Sequence, residues 1–542
     1  MRPLETLLVL ANLLAFILLL TPLRNARRWA HRLALVAPLV AVTQAMVEGW
    51  RWQLVPAYAL AGLAFLFWVK QRTLPRLRGA DAPQTPRMAK TWTLGLGIGG
   101  LAVSFLLPAA VPVFRFPTPG GHYAIGTATY QWVDTARLDL FRPSPQRRAL
   151  LVQVWYPAAP QNPVAPRTPY LPDAGAVTGA FAHLQHLPAF LFAHFRFART
   201  NAVADAPVAA GTPRYPVLLF LEGATGFRQM NTFQVEELVS HGYIVAAIDQ
   251  PGTAAAVVFP GGHPVAGLPV AQLRPLIRAS YVPGASLRLG PGRALANAGI
   301  VPYLAQDVRF VLDRLTALNQ ADPTGRLSGR LDLRRIGVFG VSLGGIVAAE
   351  ACYRDARLGA CLVLDAPMPA AVARAGLRQP TMWLTRDAAT MRLERQRAGG
   401  WPENEILAQQ TTMRAVYQRL RGAGYIVQIR GAFHSNFMDL PTWMPLASWL
   451  GIAGPIGGQR AHTIINAYSV AFFNQHLRGS RARLLAGPGT PYPEVHFETR
   501  RFSCPSSSSP HSVPLPQARH PATRQILTVR TAARAHIPAP AR

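Results

Sequence analysis

The fold of this chain is decided by the stretch Ile336-Gly337-Val338-Phe339-Gly340-Val341-Ser342-Leu343-Gly344-Gly345. It begins as an apolar run typical of a buried strand, continues into the motif Gly-x-Ser-x-Gly, and is followed by the helix-forming residues 346–350. A strand, a tight turn and a helix in this order predict a nucleophile elbow, in which the serine hydroxyl is exposed at the end of the strand. Only small residues fit beside the serine in so tight a turn. We therefore expect Ser342 to be a reactive residue.

From about residue 116, short apolar runs alternate with helical stretches, as in an α/β sheet. Runs that are apolar at every position are typical of parallel strands buried on both faces. The predicted strands are 150–155, 217–221, 244–248, 336–339, 360–364, 381–384 and 425–429. Helices are predicted over 301–315 and 411–420. Together with the elbow, this pattern predicts an α/β-hydrolase fold, a mostly parallel sheet with helices on both faces.

Three side chains follow the ends of predicted strands, in the order Ser342, Asp365 and His434. The carboxyl ends of parallel strands meet at one edge of a sheet, where reactive groups gather. A serine hydroxyl needs a base to take its proton, and the base needs an acid that fixes its tautomer and stabilises the imidazolium. The sequence therefore predicts Ser342 as nucleophile and His434 as base, with Asp365 as a candidate for the acid.

The acid and the base both have alternatives in the sequence. Asp387 follows the predicted strand 381–384, and position alone does not choose between it and Asp365, whose residue type is also common at helix N-caps. The alternative histidines lie beyond the strand-end position and are His462, His476 and His496. We therefore expect His434 to be the base, while the acid stays open between the two aspartates.

A serine that attacks a carbonyl group creates a negative oxygen, which needs two N–H donors aimed at it. In an elbow, one donor belongs to the residue after the nucleophile, here Leu343. The other donor is expected in the turn Gly223-Ala224-Thr225-Gly226, after the predicted strand 217–221. We predict that the N–H groups of Ala224 and Leu343 form this oxyanion hole.

Several blocks of the sequence resemble the platelet-activating-factor acetylhydrolase family of α/β-hydrolases. The blocks are 223–228, 240–247, 340–345, 364–366 and 431–437. Together they extend over about residues 150–445. The resemblance implies an ester-hydrolysing enzyme with Ser342 as nucleophile and His434 as base, and it favours Asp365 over Asp387 as the acid.

The chain departs from this family at two positions. Glu222 precedes the glycine of the oxyanion turn, where the family usually has a histidine, and Pro367 stands where it often has an aromatic residue. A carboxylate beside the oxyanion opposes negative charge there, so we expect Glu222 to point away or to pair with Arg228. Both departures affect which acyl group or leaving group the enzyme is expected to prefer.

Residues 1–115 are predicted to be a bundle of four transmembrane helices. Residues 6–23 and 91–114 are uncharged and long enough for a bilayer core, which needs about 20 apolar residues. Weaker candidates are 33–49 and 54–69. The segments 24–32 and 70–90 are rich in arginine and lysine, residues that stay on the cytoplasmic side. We therefore expect a multi-pass inner-membrane protein that contacts lipids through these helices and has its catalytic domain outside the cytoplasm.

The catalytic domain is predicted to span residues 116–500. Within it, the insertion 160–212 is rich in proline, alanine, phenylalanine and histidine, which suits a cap over the site, a surface dipping into lipid or an ordinary packed helix. Residues 252–299 are glycine-rich and predicted to be mostly loop, as many lids are. The tail 501–542, rich in proline and serine and without acidic residues, is predicted to be disordered.

The charge of the chain does not indicate a nucleic-acid partner. The formal net charge is +30 and is carried almost wholly by arginine, since lysine occurs only at Lys70 and Lys90. No basic run is interleaved with the stacking aromatic residues that bind single strands. The cysteines Cys352, Cys361 and Cys504 form neither a disulfide framework nor a metal site, although the first two are able to pair in an oxidising compartment. We expect no nucleic acid, metal or cofactor.

The sequence thus predicts an acetylhydrolase-like serine esterase that cleaves short-chain or phospholipid-type esters through an acyl-enzyme. An acyltransferase or a polyester hydrolase with the same triad is an alternative, because both reactions begin with the same attack on a carbonyl group. A non-catalytic membrane-tethered binding module is a further alternative, and the presence of all three triad residues argues against it.

Overall fold

The computed structural model describes residues 1–21, 24–73, 87–142, 145–160, 165–282, 299–487, 489 and 491–500. The tail 501–542, predicted to be disordered, lies outside the described residues. The described ranges contain an N-terminal group of helices, followed by a mixed sheet with helices on both faces. This is the arrangement expected from the elbow and from the alternation of apolar runs with helical stretches.

The N-terminal helices are α1 (Pro3–Leu20), α2 (Arg24–Gln44), α3 (Val55–Thr73) and α4 (Arg87–Ala110). Among the described residues, three spans are long and apolar enough to cross a membrane, namely Pro3–Leu20, Arg32–Gly49 and Trp52–Lys70. The apolar part of α4, Leu94–Ala110, is shorter. Three of the four predicted spans therefore meet the requirement in length and composition among the described residues, and the fourth overlaps the helix α4.

Polar contacts join the N-terminal helices to one another at one end of the group. Arg51 and Glu5, both fully buried, form an ion pair with 2.7 Å between Nη1 and Oε1. Nη2 of Arg51 also donates to the carbonyl oxygen of Val111 at 2.5 Å, and the N–H of Leu4 donates to Oε1 of Glu48 at 2.9 Å. The start of α1, the end of α2, the start of α3 and the end of α4 therefore meet, so consecutive helices run in opposite directions.

Thirteen strands lie in the described part of the chain, and eleven of them form one sheet. In chain order they are β1 (Ala124–Leu138), β2 (Arg147–Ala158), β3 (Arg167–Pro169), β4 (Arg199–Ala204), β5 (Tyr215–Leu221), β6 (Ile244–Asp249), β7 (Ala256–Val258), β8 (Pro264–Ala266), β9 (Leu331–Val341), β10 (Leu358–Leu364), β11 (Thr381–Thr385), β12 (Gly424–Ile429) and β13 (Val495–Arg500). The order across the sheet is β13-β12-β11-β10-β9-β5-β6-β2-β1-β4-β3, and β7 pairs with β8 separately. The neighbours from β12 to β6 run parallel, while β13 and β2 join them antiparallel.

Helices cover both faces of this sheet. They are α5 (Ala174–Leu184), α6 (Thr232–Ser240), α7 (Val270–Arg278), α8 (Val301–Gln320), α9 (Leu343–Arg354), α10 (Ala370–Ala375), α11 (Ala388–Ala398), α12 (Glu403–Arg419), α13 (Leu440–Trp443) and α14 (Gly458–Leu477). Buried residues of α8, α9 and α12 share one apolar core, and those of α6 and α14 share the other. The central strands are therefore shielded from water on both sides.

Strand β5 shows how these two cores are divided. Val217, Leu219 and Leu221 belong to one core, whereas Leu218 and Phe220 belong to the other, and all are fully buried. Successive side chains of a strand point to opposite faces, so a strand covered on both sides must be apolar at every position. This explains why β5 appears in the sequence as an unbroken apolar run.

All seven predicted strands lie within strands of the sheet, and both predicted helices overlap observed ones. Strands β1 and β13 have no predicted counterpart, because exposed and polar positions interrupt them. The region 252–299 contains the β7–β8 hairpin and α7, and so has more regular structure than the predicted loop, although residues 283–298 lie outside the described ranges.

Candidate active site

The predicted elbow is formed between β9 and α9. Ser342 has φ 56° and ψ −122°, a strained conformation for a residue with a side chain. A Cβ atom added to Gly340 would lie 2.4 Å from the carbonyl carbon of Gly344, and one added to Gly344 would lie 2.0 Å from the carbonyl oxygen of Leu221. The turn therefore closes against β5 only with glycine at these two positions.

The elbow lies beside the end of the neighbouring strand β10. The N–H of Ser342 donates to the carbonyl oxygen of Leu364 at 3.0 Å, and the N–H of Asp365 donates to that of Leu384 at 2.9 Å. Asp365 has a φ of 45°, so the chain turns sharply as it leaves the strand. Parallel register thus brings Ser342 and Asp365 to the same edge of the sheet.

His434 begins a 3₁₀ turn, His434–Phe437, that follows β12. Its Nδ1 atom lies 2.6 Å from Oδ2 of Asp365. The carboxylate of Asp365 is fully buried, whereas the imidazole keeps 19% of its surface exposed. A carboxylate only accepts hydrogen bonds, so the proton of the imidazole resides on Nδ1 and Nε2 is left as the basic atom.

Several further side chains hold the Asp365 carboxylate. Nε of Arg386 donates to Oδ2 at 2.8 Å, while Oδ1 accepts from Nε2 of Gln409 at 2.8 Å and from the Thr385 hydroxyl at 3.3 Å. Burial raises the pKa of Asp365, but the Arg386 guanidinium and His434 outweigh it and lower that pKa to about 2. Asp365 is therefore ionised at any physiological pH.

The alternative acid, Asp387, has a different role in the fold. Its carboxylate accepts the N–H of Thr390 at 2.6 Å and caps the first turn of α11. An N-cap aspartate satisfies a backbone donor that the helix itself leaves without a partner. Of the two aspartates, the structure brings Asp365 to His434 and assigns Asp387 to the helix end.

The turn expected to complete the oxyanion hole lies against the serine. A Cβ atom added to Gly223 would lie 3.3 Å from Cβ of Ser342 and 3.9 Å from its Oγ. Thr225, with a φ of 59°, bends the chain after Ala224. In the described part of the chain, the N–H groups of Ala224 and Leu343 donate to no protein acceptor. Both remain available to an atom bound beside the serine hydroxyl.

Of the two alternatives predicted for Glu222, the pairing with Arg228 is wrong. Arg228 binds Asp249 instead, through its backbone N–H at 2.6 Å and through its guanidinium. Oε1 of Glu222 accepts the N–H of Gln250 at 3.0 Å, and Oε2 is buried without a partner among the described residues. Burial and the nearby Asp249 carboxylate raise the pKa of Glu222 to about 8. At neutral pH the side chain is therefore mostly protonated and places little negative charge beside the turn.

The insertion 160–212 contains β3, α5, the 3₁₀ segment Ala189–Phe197 and β4. Next to α5, Nε2 of Gln185 donates to the hydroxyl of Thr225 at 3.2 Å. In the 3₁₀ segment, the ring of Phe190 meets that of Trp52 edge-on at 5.2 Å. The insertion therefore connects the N-terminal helices to the turn beside the serine.

The alternative histidines have other partners. Nε2 of His462 lies 2.9 Å from the carbonyl oxygen of Met438, and Nε2 of His476 lies 3.0 Å from the hydroxyl of Tyr425. Burial lowers the pKa of both His462 and His476 to about 4. His496 lies in the outer strand β13. Within the described ranges, His434 is the histidine that contacts the buried aspartate.

The remaining reactive side chains do not form a second centre in the described part of the chain. Cys352 and Cys361 are both buried free thiols, and Cys504 lies outside the described residues. No group of three or more histidine, cysteine, aspartate or glutamate residues suited to a metal ion occurs within the described ranges.

Four residues around the aspartate–histidine pair have no counterpart among the predicted site residues. They are Arg386, Glu394, Trp401 and Gln409. Arg386 directly follows β11, so the rule that reactive groups gather at strand ends identifies its position. The other three come from α11, α12 and the turn between them, and their approach depends on packing that no local pattern specifies.

A known protein family matches most of the catalytic region. The family described as "Platelet-activating factor acetylhydrolase, isoform II" matches residues 111–260 and 313–482. These ranges include Ser342, Asp365 and His434. The match begins directly after α4, so the N-terminal helices lie outside it.

Individual relatives and solved structures are similar to the same region. A probable 1-alkyl-2-acetylglycerophosphocholine esterase from Arthroderma benhamiae is 24% identical, over 73% of this chain and 96% of that protein. The platelet-activating factor acetylhydrolase of Gallus gallus is 20% identical, over 67% of this chain and 84% of its own length. A solved ferulic acid esterase from Streptomyces cinnamoneus superposes with a TM-score of 0.54 and 29% identity, over 71% of this chain and 99% of that one. All three names describe ester hydrolysis.

Proposed function

Because the chain belongs to the platelet-activating factor acetylhydrolase, isoform II, family, we propose that it cleaves carboxylic esters through a Ser342–His434–Asp365 triad and an acyl-enzyme. Membership of this family and the esterase relatives establish an ester-hydrolysing enzyme and rule out the non-catalytic binding module. The triad and the membrane arrangement are proposals that rest on the geometry of the site and of the N-terminal helices, and the substrate is a proposal that rests on the names of the relatives.

The reaction begins at the serine hydroxyl. Oγ of Ser342 attacks the ester carbonyl carbon while Nε2 of His434 takes the hydroxyl proton. The tetrahedral intermediate then collapses, and the alcohol leaves with the proton that the histidine returns. In the second half, water gives a proton to the same nitrogen, attacks the acyl group and releases the acid, which regenerates the serine.

Two groups of atoms lower the barrier of these steps. The Asp365 carboxylate, whose pKa is lowered to about 2 by Arg386 and His434 against the effect of burial, stays ionised and stabilises the imidazolium. The N–H groups of Ala224 and Leu343 stabilise the negative oxygen of each tetrahedral intermediate. Protonated Glu222 lets that negative charge develop without repulsion from the residue before the turn.

One observation carries this proposal: Nδ1 of His434 lies 2.6 Å from the buried Asp365 carboxylate, at the sheet edge that also bears the strained serine. Replacing Ser342 by Ala should remove nearly all turnover of p-nitrophenyl acetate and all labelling by a fluorophosphonate probe. Ser448→Ala, at a half-buried serine in the loop after α13, is the matched control and should change neither. Undiminished turnover in Ser342→Ala would overturn the mechanism.

The substrate we propose is a short-chain or phospholipid-type ester. The names of the relatives support this class, since one is a 1-alkyl-2-acetylglycerophosphocholine esterase and another a platelet-activating factor acetylhydrolase. Purified protein should be tested against p-nitrophenyl esters of increasing acyl length and against 2-acetyl and 2-long-chain phospholipids in mixed micelles. A preference for long acyl chains in both series would contradict the proposal.

We also propose that the N-terminal helices anchor the enzyme in the inner membrane, with the catalytic domain outside the cytoplasm. The ends of the helices that meet at Glu48 and Arg51 contact the catalytic domain, where Arg196 donates to the carbonyl oxygen of Trp50 at 2.9 Å. The basic residues Lys70 and Arg72 occupy the last turn of α3, at its other end. Because cationic loops stay in the cytoplasm, this arrangement favours a catalytic domain on the opposite side.

A further inference from the structure

Four charged or ionisable groups at the candidate site are joined in a closed ring. Oδ2 of Asp365 accepts from both Nδ1 of His434, at 2.6 Å, and Nε of Arg386, at 2.8 Å. Nη1 of Arg386 binds Oε2 of Glu394. The other oxygen of Glu394, Oε1, accepts the backbone N–H of His434 at 3.0 Å and so closes the ring.

This ring is almost completely removed from water. The side chains of Arg386 and Asp365 are fully buried, and that of Glu394 is 9% exposed. Isolated buried charges are costly, so each member of such a ring depends on its neighbours for compensation. The aromatic ring of Trp401 lies 5.2 Å from that of His434 and 5.7 Å from the Arg386 guanidinium, and covers the ring of charges on one side.

We propose that Arg386 and Glu394 are positioning residues for the esterase triad, and that together they fix the geometry of Asp365 and His434 and balance the charge there. Arg386 holds Oδ2 of the aspartate in the direction of the histidine, and Glu394 holds the backbone from which the imidazole extends. Neither residue contacts the ester. This inference rests on the proposed function, since it assumes that His434 is the base.

The two residues act on the imidazolium with opposite signs. Arg386 brings a positive charge to the oxygen that binds His434, which disfavours a second positive charge on the imidazole. Glu394 brings a negative charge to the backbone of the same histidine, which favours it. The groups that face His434 are thus Asp365 from β10, Arg386 from the end of β11, Glu394 from α11 and the Trp401 ring, while Gln409 of α12 contacts the aspartate as a neutral donor.

The test is a pH profile of kcat and KM for p-nitrophenyl acetate, measured on the full-length protein in detergent. In Arg386→Met, kcat should fall about 10- to 100-fold, because small misplacements of a catalytic pair are costly, while KM stays within about 2-fold. The acid limb of the profile should move up by about one pH unit. Arg386→Lys keeps the charge and should recover part of both changes.

Glu394→Gln keeps the shape and the acceptor for the His434 N–H but loses the negative charge. Its kcat should fall by less than that of Arg386→Met, and its acid limb should move to lower pH. The matched controls are Arg392→Met and Glu403→Gln, which break an ion pair on α11 and α12 whose side chains are 43% and 42% exposed. They should change neither kcat nor the profile.

Acid limbs that shift in the same direction in Arg386→Met and Glu394→Gln, or that match the controls, would overturn the proposal. A general loss of packing lowers activity without producing opposite shifts. Where Arg386→Met fails to accumulate as folded protein, the direction of the shift in Glu394→Gln decides. Failure of the proposed function is separately visible, because the wild-type enzyme would then carry no fluorophosphonate label at Ser342.

Discussion

Asp365 and Asp387 follow neighbouring parallel strands, yet their carboxylates point to different partners. Asp365 turns back at a φ of 45° and binds the imidazole of His434, whereas Asp387 faces forward and caps the helix that follows it. Their places differ by one residue, because Asp365 directly follows β10, whereas Arg386 lies between the end of β11 and Asp387. This relationship separates the two candidates for the triad acid and makes it possible to test them as a pair.

We expect Asp365→Asn to lower kcat by about 1,000- to 10,000-fold, because an amide in that position disturbs the tautomer that leaves Nε2 of the histidine basic. Asp387→Asn is the matched control. Asparagine caps helices about as well as aspartate, so its kcat and its melting temperature should stay close to those of the wild type. Measurement of kcat for p-nitrophenyl acetate checks both, and a large loss of kcat in Asp387→Asn would reverse the assignment.

Glu222→Gln should stabilise the protein as the pH rises. Burial and the Asp249 carboxylate raise the pKa of Glu222 to about 8, so the folded state keeps a proton that the unfolded state releases above its ordinary value of 4.5. The unfolded state then binds fewer protons, and the free energy of unfolding falls between about pH 4.5 and 8. The variant has no such loss, so its free energy of unfolding at pH 7 should exceed that of the wild type by at least about 1 kcal/mol.

Melting temperatures of the wild type and Glu222→Gln, measured from pH 5 to pH 8, check this prediction. The two should agree near pH 5 and diverge as the pH rises. Glu237→Gln serves as the control, since His241 and the N–H of Gly120 outweigh burial and lower the pKa of Glu237 below its ordinary value of 4.5. The contribution of Glu237 to the free energy of unfolding therefore changes only at lower pH, and its variant should differ from the wild type by a constant amount from pH 5 to pH 8. Curves for the wild type and Glu222→Gln that stay parallel over this range would contradict the prediction.

Gly344→Ala should destroy the elbow. The added methyl group would lie 2.0 Å from the carbonyl oxygen of Leu221 and 2.6 Å from that of Glu222, both backbone atoms that cannot move without shifting β5. We expect loss of activity and of folded protein. Gly179→Ala, inside α5 and with no atom within 4 Å of the new methyl group, should instead stabilise by up to about 1 kcal/mol. Melting curves and fluorophosphonate labelling distinguish the two, and an active, stable Gly344→Ala enzyme would refute the account of the turn.

The orientation of the chain can be tested with reporters. Alkaline phosphatase fused after residue 120 should be active, because it folds only outside the cytoplasm. A green fluorescent protein that fluoresces only in the cytoplasm should give no signal when it is fused at the same position. Fusion after residue 80, between α3 and α4, should give the reverse pattern. Phosphatase activity after residue 80 together with fluorescence after residue 120 would place the catalytic domain in the cytoplasm.

Much of this fold was predictable because its decisive interactions are local in sequence. Val217 to Leu221 form an unbroken apolar run since both faces of β5 are buried, and Gly340 is required by its contact with Gly344 within the turn. The strands of the parallel core follow from such runs. Strand β1 is not predicted in this way, because exposed residues alternate with buried Trp132 and Asp134 towards its end.

The surroundings of the candidate site were harder to predict, because charge partners are chosen by the tertiary fold. Pairing with Arg228 is one of the two alternatives predicted for Glu222, but the arginine binds Asp249 at the end of the adjacent strand. Arg386 stands next to Asp387 in sequence yet binds Asp365 across the strand ends. The 25 aspartates and glutamates of the chain are the acidic partners open to any one arginine, and for Arg386 the register of β10 and β11 selects among them.

The backbone of the site has a consequence for how such an enzyme adapts to heat. Ser342, Asp365 and Thr225 are among the five non-glycine residues with positive φ in the described chain. Each such conformation costs about 1–3 kcal/mol, and glycine would relieve it. Glycine would also remove a hydroxyl or carboxylate on which the proposed reaction or its oxyanion turn depends. Selection for thermal stability alone would therefore lead towards inactive sequences, and a heat-resistant descendant must gain its stability far from these three turns.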